Sequence, residues 1–141
     1  MAARFSEGHL ATKHRADELR ARTLELAEIE LDAYAPVLEA LRLPRDDPDR
    51  ADRVDAARTA ASQSPLEVSR IAADVAELAA ELATAGNPNL TGDAIAGALL
   101  AEAAAQAAAK LVAINLTDGP MVDHAAESAR RAHTARERAL A

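Results

Sequence analysis

Apolar positions recur at helical spacing along almost the whole chain. Between Asp17 and about Leu43, the residues Leu19, Leu26, Ile29, Ala33, Val37 and Leu41 follow one another three, four or seven apart. That is the spacing of one face of an α-helix. A second file, Leu24, Leu31 and Leu38, runs along another side, and a helix with two apolar files is expected to pack between neighbours. Pro36 lies inside this pattern and should end or kink the helix near Ala35, since its ring removes a donor and clashes with the preceding turn. Leu43-Pro44-Arg45-Asp46-Asp47-Pro48 reads as an exposed connector, and a short charged helix follows from about Asp49 to Ala61.

Ser64-Pro65-Leu66-Glu67 has the form of a capping box, with serine at N-cap, proline at the first helical position and glutamate two residues later. The helix it opens carries Val68, Ile71, Val75, Leu78 and Leu82 as an apolar seam that runs up to Gly86. A second long helix extends to about Leu116, and Asp118-Gly119-Pro120 breaks it. A last helix, from about Val122 to Leu140, is Arg-rich and Ala-lined and is expected to be peripheral. At the other end, Met1-Ala2-Ala3-Arg4-Phe5-Ser6 reads like the inside of a helix with no cap ahead of it, as though Met1 were an internal position of a longer ancestral domain.

These elements predict an all-α fold, an antiparallel helical bundle of about five helices. A chain of 141 residues forms one domain, 1–141, by the length prior. One Phe, one Tyr and no Trp leave a core of little side-chain volume. Its helices must approach closely, and a second subunit would help to bury enough area. A net charge of −7 argues against nucleic acid, whose phosphates need a basic face. The lack of cysteine excludes disulfides, thiolate metal sites and cysteine nucleophiles. The N-terminus carries no apolar signal core, so a cytoplasmic setting is expected. The run Ala94 to Ala113 is long and apolar, but Glu102, Gln106 and Lys110 interrupt it at spacings of four, on one stripe. A core helix with one polar stripe fits this better than a membrane span. Such a stripe makes an interhelical contact, edges a dimer or faces a cavity.

Candidate chemistry concentrates in Gly86-Asn87-Pro88-Asn89-Leu90-Thr91-Gly92-Asp93-Ala94. Gly86 is expected to supply a left-handed residue that ends the preceding helix. Asn87-Pro88 makes a turn. Thr91 offers its hydroxyl as N-cap, and Asp93 puts a carboxylate in the first turn, where the macrodipole favours negative charge. Two asparagines and an aspartate thus crowd one helix start, as punctuation or as a polar site. No metal is expected: His9 and His14 stand five apart, His124 and His133 are distant, and no HExxH spacing occurs. There is also no glycine-rich phosphate loop.

Several of these pieces, in this order, resemble the cyclodeaminase/cyclohydrolase family of folate enzymes. They are Leu26-Ala27-Glu28, Asp32-Ala33-Tyr34, Leu43-Pro44-Arg45, Ser64-Pro65-Leu66-Glu67-Val68, Gly86-Asn87-Pro88-Asn89, Gly92-Asp93-Ala94, Glu102-Ala103 and Ile114-Asn115-Leu116. The Gly-Asn-Pro-Asn turn a few residues before Asp-Ala is the most specific. The resemblance implies an all-α homodimer acting on a tetrahydrofolate derivative as substrate. It would close 5-formiminotetrahydrofolate to 5,10-methenyltetrahydrofolate with loss of ammonia, or hydrolyse the methenyl bridge. It makes Asp93 and Asp32 the candidate catalytic carboxylates, and Asn87, Asn89 and Thr91 candidate substrate-binding residues. The chain also departs from the family pattern. A Pro-Gly-Gly-Gly-Ser-type opening is missing, Gly92 stands where the family tends to have Ser, and Leu111 and Ala113 stand where it tends to have Asn and Arg. Such departures imply an alternative: a catalytically impaired folate-binding relative or a helical dimerisation module.

Overall fold

A computed structural model describes residues 2–141, with side chains from residue 10 onward; Met1 and the His9 side chain lie outside the described residues. Six helices follow in order: α1 (Ala2–Ala33), α2 (Ala35–Leu41), α3 (Arg50–Ala61), α4 (Gln63–Ala85), α5 (Thr91–Asn115) and α6 (Pro120–Leu140). A single 3-10 turn, Pro88–Leu90, joins α4 to α5. No strand occurs among the described residues. The fold is all-α, and the break between α1 and α2 falls at Tyr34, two residues before Pro36.

The core is made of α4, α5 and α6, and short connectors make successive helices antiparallel. It is built from alanine. Ala73, Ala76 and Ala80 of α4, Ala98 and Ala105 of α5, and Ala132 and Ala135 of α6 are all but fully buried together. Methyl side chains let three backbones come close, and dispersion contacts between them replace the bulk of a leucine core. The larger residues expected to form the α4 seam lie on its flank. Ile71, with Val68 and Val75, receives Leu19 and Leu26 of α1, while Leu82 stays partly exposed.

The last helix is central, not peripheral. Ala125, Ser128, Ala132, Ala135 and Ala139 recur three and four apart and are buried, giving α6 a narrow small-residue stripe that fits against α4 and α5. Arg131 and Arg136 lie beside that stripe and bind acids of neighbouring helices. Arg131 donates to Glu77 from Nε (3.0 Å) and Nη2 (2.8 Å), and to Asp74 from Nη2 (2.8 Å).

Helix α1 touches the bundle along one side only. Leu19 and Leu26 are buried, and Arg15 and Arg22 tie the helix to Asp74 and Glu67 of α4. The expectation that its second file also packs does not hold, because Leu24, Leu31 and Leu38 face outward in the single chain, Leu31 at 78 % exposure.

Three local expectations are corrected. The capping box does not form, since α4 begins at Gln63 and the Leu66 N–H donates to the Ser62 carbonyl. Ser64 is therefore already inside the helix, buried, with an Oγ that has no hydrogen-bond partner. Glu67 turns to Arg22, whose Nε and Nη2 each donate to it at 2.8 Å, a charge-assisted pair stronger than a cap bond. Gly86 is not left-handed. Its φ of −84° and ψ of −159° are extended, and its N–H donates to the Leu82 carbonyl at 3.0 Å. Thr91 is not the N-cap either. It is the first residue of α5, Leu90 precedes it as cap without a side-chain bond, and its own N–H donates to the Pro88 carbonyl. The 3-10 turn fills the place where a side-chain cap was expected.

The polar stripe of α5 divides. Glu102 is buried against α6, accepting from Arg136 Nε at 2.8 Å and from Gln106 Nε2 at 2.9 Å, with His133 Nδ1 at 2.8 Å. Lys110 points to solvent. By length and composition Pro88–Asn115 would be long and apolar enough to cross a membrane. Its inner side is instead a bundle face holding an ion-paired glutamate.

Candidate functional site

Where α4 ends, the chain must reverse to start α5, and the reversal is made by backbone and asparagine together. Pro88 fixes its own φ and holds Asn87 in an extended conformation (φ −72°, ψ 119°). The Asn87 side-chain oxygen accepts from the Asn89 N–H at 3.0 Å, an Asx turn that opens the 3-10 turn. The Leu90 N–H then donates to the Asn87 carbonyl at 2.9 Å. This use of its oxygen leaves the Asn87 amide nitrogen without a partner among the described residues.

One turn later, Asp93 sits in the first turn of α5. Beside it opens an apolar cavity of about 380 Å³ between α1, α4 and α5. Its walls include Ala16, Val75, Leu78, Leu82, Leu90 and Gly97, and among the described residues its polar lining is Asn87 and Asp93. The volume is within the range of small-molecule sites, and so is the design, in which apolar walls are joined by a few polar groups that fix orientation. Asp93 makes no hydrogen bond or ion pair with another described residue. It stands where the α5 N-terminus supports a carboxylate.

The other sequence candidates are placed differently. Asn89 is exposed on the outside of the turn, and Thr91 is half-buried at the start of α5; neither lines the cavity. Asp32 is exposed near the end of α1. It stands sixteen residues beyond Ala16, which at helical rise is about 24 Å along the axis, so within one chain Asp93 and Asp32 are not brought together. The apolar walls escaped the sequence reading because Leu78 and Leu82 look like ordinary core positions on a helical seam. In the structure both stay partly exposed and line the cavity together with Gly97.

A second cavity of about 400 Å³ lies between α1, α4 and α6, lined by Arg22, Leu26, Ile29, Ser64, Glu67 and His124 among others. Its charges are already paired, since Arg22 and Glu67 neutralise each other across it. That pair holds the Glu67 carboxyl below the ordinary carboxylate range. No group of three or more metal-ligating side chains occurs among the described residues.

A family model described as Formiminotransferase-cyclodeaminase matches residues 4–135. The chain belongs to this family. The match runs from α1 into α6 and takes in the Gly86–Asp93 turn, the described lining of the cavity beside it and the alanine core up to Ala135. A search of curated proteins finds no match. The folate-related character of the family therefore bears on the whole domain rather than on an isolated motif.

Proposed function

We propose that this member of the formiminotransferase-cyclodeaminase family acts on one-carbon units carried by a reduced folate. The reaction is closure of 5-formiminotetrahydrofolate to the 5,10-methenyl form with loss of ammonia, or hydrolysis of the methenyl bridge. The observation that carries this reading is the pairing of one unpartnered carboxylate, Asp93, with an apolar cavity in the matched region. A flat pterin ring suits walls of leucine, valine and alanine. The Asn87 amide nitrogen suits a ring carbonyl or ring nitrogen acceptor.

Both reactions pass through a tetrahedral carbon between N5 and N10, and both need a proton moved. In cyclisation N10 attacks the formimino carbon and loses its proton, while the departing nitrogen gains protons and leaves as ammonia. In hydrolysis water attacks the bridge carbon, loses a proton, and one ring C–N bond breaks with proton return to nitrogen. Asp93 is the group we assign to that transfer, as general base and then acid. Asn89 and Thr91 would act on the substrate only at the cavity rim. Asp32 would reach it only across a subunit boundary. The reading includes a homodimer, supported by the exposed leucines of α5, and a cytoplasmic setting.

The test compares wild type with Asp93→Asn on both folates. Turnover should fall about 10²- to 10⁴-fold, while stability should fall by no more than the helix-dipole contribution of a first-turn carboxylate, about 0.3–1 kcal/mol, because Asp93 is exposed and makes no ion pair with a described residue. Equal turnover in the variant overturns the assignment. The separation of Asp32 from the cavity favours one alternative, a folate-binding relative without catalysis. That protein would bind a reduced folate in both forms and turn over neither.

A further inference from the structure

Helix α1 and its continuation α2 leave a long apolar file uncovered. Leu24, Leu31 and Leu38 stand seven apart, and Ala27, Tyr34 and Leu41 follow each of them by three residues. All six are exposed, Leu31 at 78 % and Leu24 at 59 %. Tyr34 keeps helical dihedrals (φ −91°, ψ −14°), so the file runs on from α1 into α2, and Pro36 lies off it. This is the apolar pattern of a helix that pairs with another helix. At 1.5 Å per residue the file is about 26 Å long.

The edges of the file are acidic. At about 100° per residue, Glu28, Glu39 and Asp32 lie within about 80° of Leu24 on one side, and Glu30 flanks the other. All four are exposed and make no hydrogen bond or ion pair with another described residue. Glu25 is the exception on this stretch, accepting from Arg22 at 2.8 Å. Residues 23–41 hold five carboxylates and neither lysine nor arginine. The fold thus presents apolar side chains at heptad spacing between carboxylates that nothing in the stretch neutralises.

We infer that this face docks one helix of another protein, apolar at heptad spacing and bearing lysine or arginine beside its seam. The inference goes beyond the folate reading and stands whether or not that holds. The homodimer proposed above rests on the leucines of α5 and does not need this face. Heptad spacing sets the shape of the occupant, since a helix laid along α1 and α2 meets Leu24, Leu31 and Leu38 in turn. The edges set its charge, because Glu28 and Glu30 occupy the positions either side of the seam where ion pairs choose the partner. A second copy of this chain fits less well. An antiparallel pair with its two-fold at Leu31 sets Leu24 against Leu38, but it also sets acidic edge against acidic edge and Arg20 against Arg42. A parallel pair brings no cation to Glu28 or Glu30. An anionic membrane would meet the same carboxylates and be repelled.

Two labelled amphipathic peptides with leucine at the heptad seam positions serve as probes, one with lysine and one with glutamate beside the seam. Fluorescence anisotropy with the full chain should show saturable binding of the lysine peptide alone. Leu31→Glu should weaken it about 10-fold or more, with helical signal retained because Leu31 is exposed. Reversing the edges with Glu28→Lys and Glu30→Lys together should transfer binding to the glutamate peptide. The same change of charge placed on exposed connectors, Asp46→Lys with Asp118→Lys, should leave the lysine peptide bound. No saturable binding up to about 1 mM peptide overturns the inference. So does binding that ignores Leu31→Glu or is lost equally in the connector variant, which would be attraction to net charge alone. Sedimentation completes the test. Self-association abolished by Leu31→Glu would place a second copy on this face, and the inference falls.

Discussion

Glu102 is a carboxylate set into an alanine helix, and what makes it tolerable is the number of donors aimed at it. Arg136 and Gln106 donate to it, His133 stands at hydrogen-bond distance, and the side chain is buried. The Arg136 guanidinium, foremost, and the His133 ring hold the Glu102 carboxyl below the ordinary carboxylate range, against a desolvation effect that pushes it up. A carboxylate whose folded pKa is depressed contributes stability that is fully present above its unfolded pKa, about 4.3 for glutamate. That contribution is lost as pH falls through the folded value. Glu102→Gln should therefore lower stability by about 1–3 kcal/mol at neutral pH. The gap between variant and wild type should close as the pH is taken below 4. Urea melts at a series of pH values measure this, and a gap that persists in acid would show that packing, not charge, is what Glu102 contributes. Asp93 is the contrasting residue, exposed and without an ion pair among the described residues, so its substitution should alter chemistry and move the melt by no more than its small helix-dipole contribution.

At the scale of elements, the start and end of α4 show what local sequence signals can and cannot decide. The α4 end was legible: Gly86-Asn87-Pro88 forbids further helix whatever the surroundings, and α4 stops at Ala85. The conformation of Gly86 was not legible, because a left-handed and an extended ending both suit glycine. Its requirement is steric. A Cβ added there would lie 2.3 Å from the Leu82 carbonyl oxygen and 3.1 Å from its carbon, both backbone atoms that cannot swing aside. Gly86→Ala should cost about 1–3 kcal/mol, the range for overpacking a well-fitted site. Gly92→Ala should be neutral to slightly stabilising, since a Cβ there meets nothing and glycine within a helix is unfavourable. Thermal melts of the two variants side by side check this, and equal loss at both positions would contradict it. The start of α4 was misread for a tertiary reason. Ser64 and Glu67 have the spacing of a capping box, but Arg22, 45 residues earlier, takes Glu67. Periodicity likewise located α6 but not its depth, because an alanine stripe at spacings of three and four is too weak an apolar signal to mark a core helix until its neighbours are known.

For the whole molecule, an alanine core shapes the outside of the bundle as well as its inside. It packs three helices tightly with little volume, which leaves the leucines of α1 and α5 on the outside. The cavity beside Asp93 lies next to this packing, with Ala79 of α4 and Gly97 of α5 both on its wall. The all-α class and the order of helices could be read from spacing alone. Of the candidate site, Asp93 and Asn87 were legible because the turn is so marked in sequence. The walls were not, since the opening arises from where helices separate. Asp32 carried the family pattern, yet no spacing rule could say that α1 would run past the cavity and set this residue about 24 Å beyond it.

The most direct measurement is a titration of the purified full chain with 5,10-methenyltetrahydrofolate, following the absorbance of the methenyl bridge against a protein-free control. Saturable binding with accelerated loss of the bridge, both reduced by Asp93→Asn or by filling the cavity with Gly97→Leu, is the predicted result. No binding and no acceleration, at protein concentrations well above the micromolar range, would contradict a folate site beside Asp93.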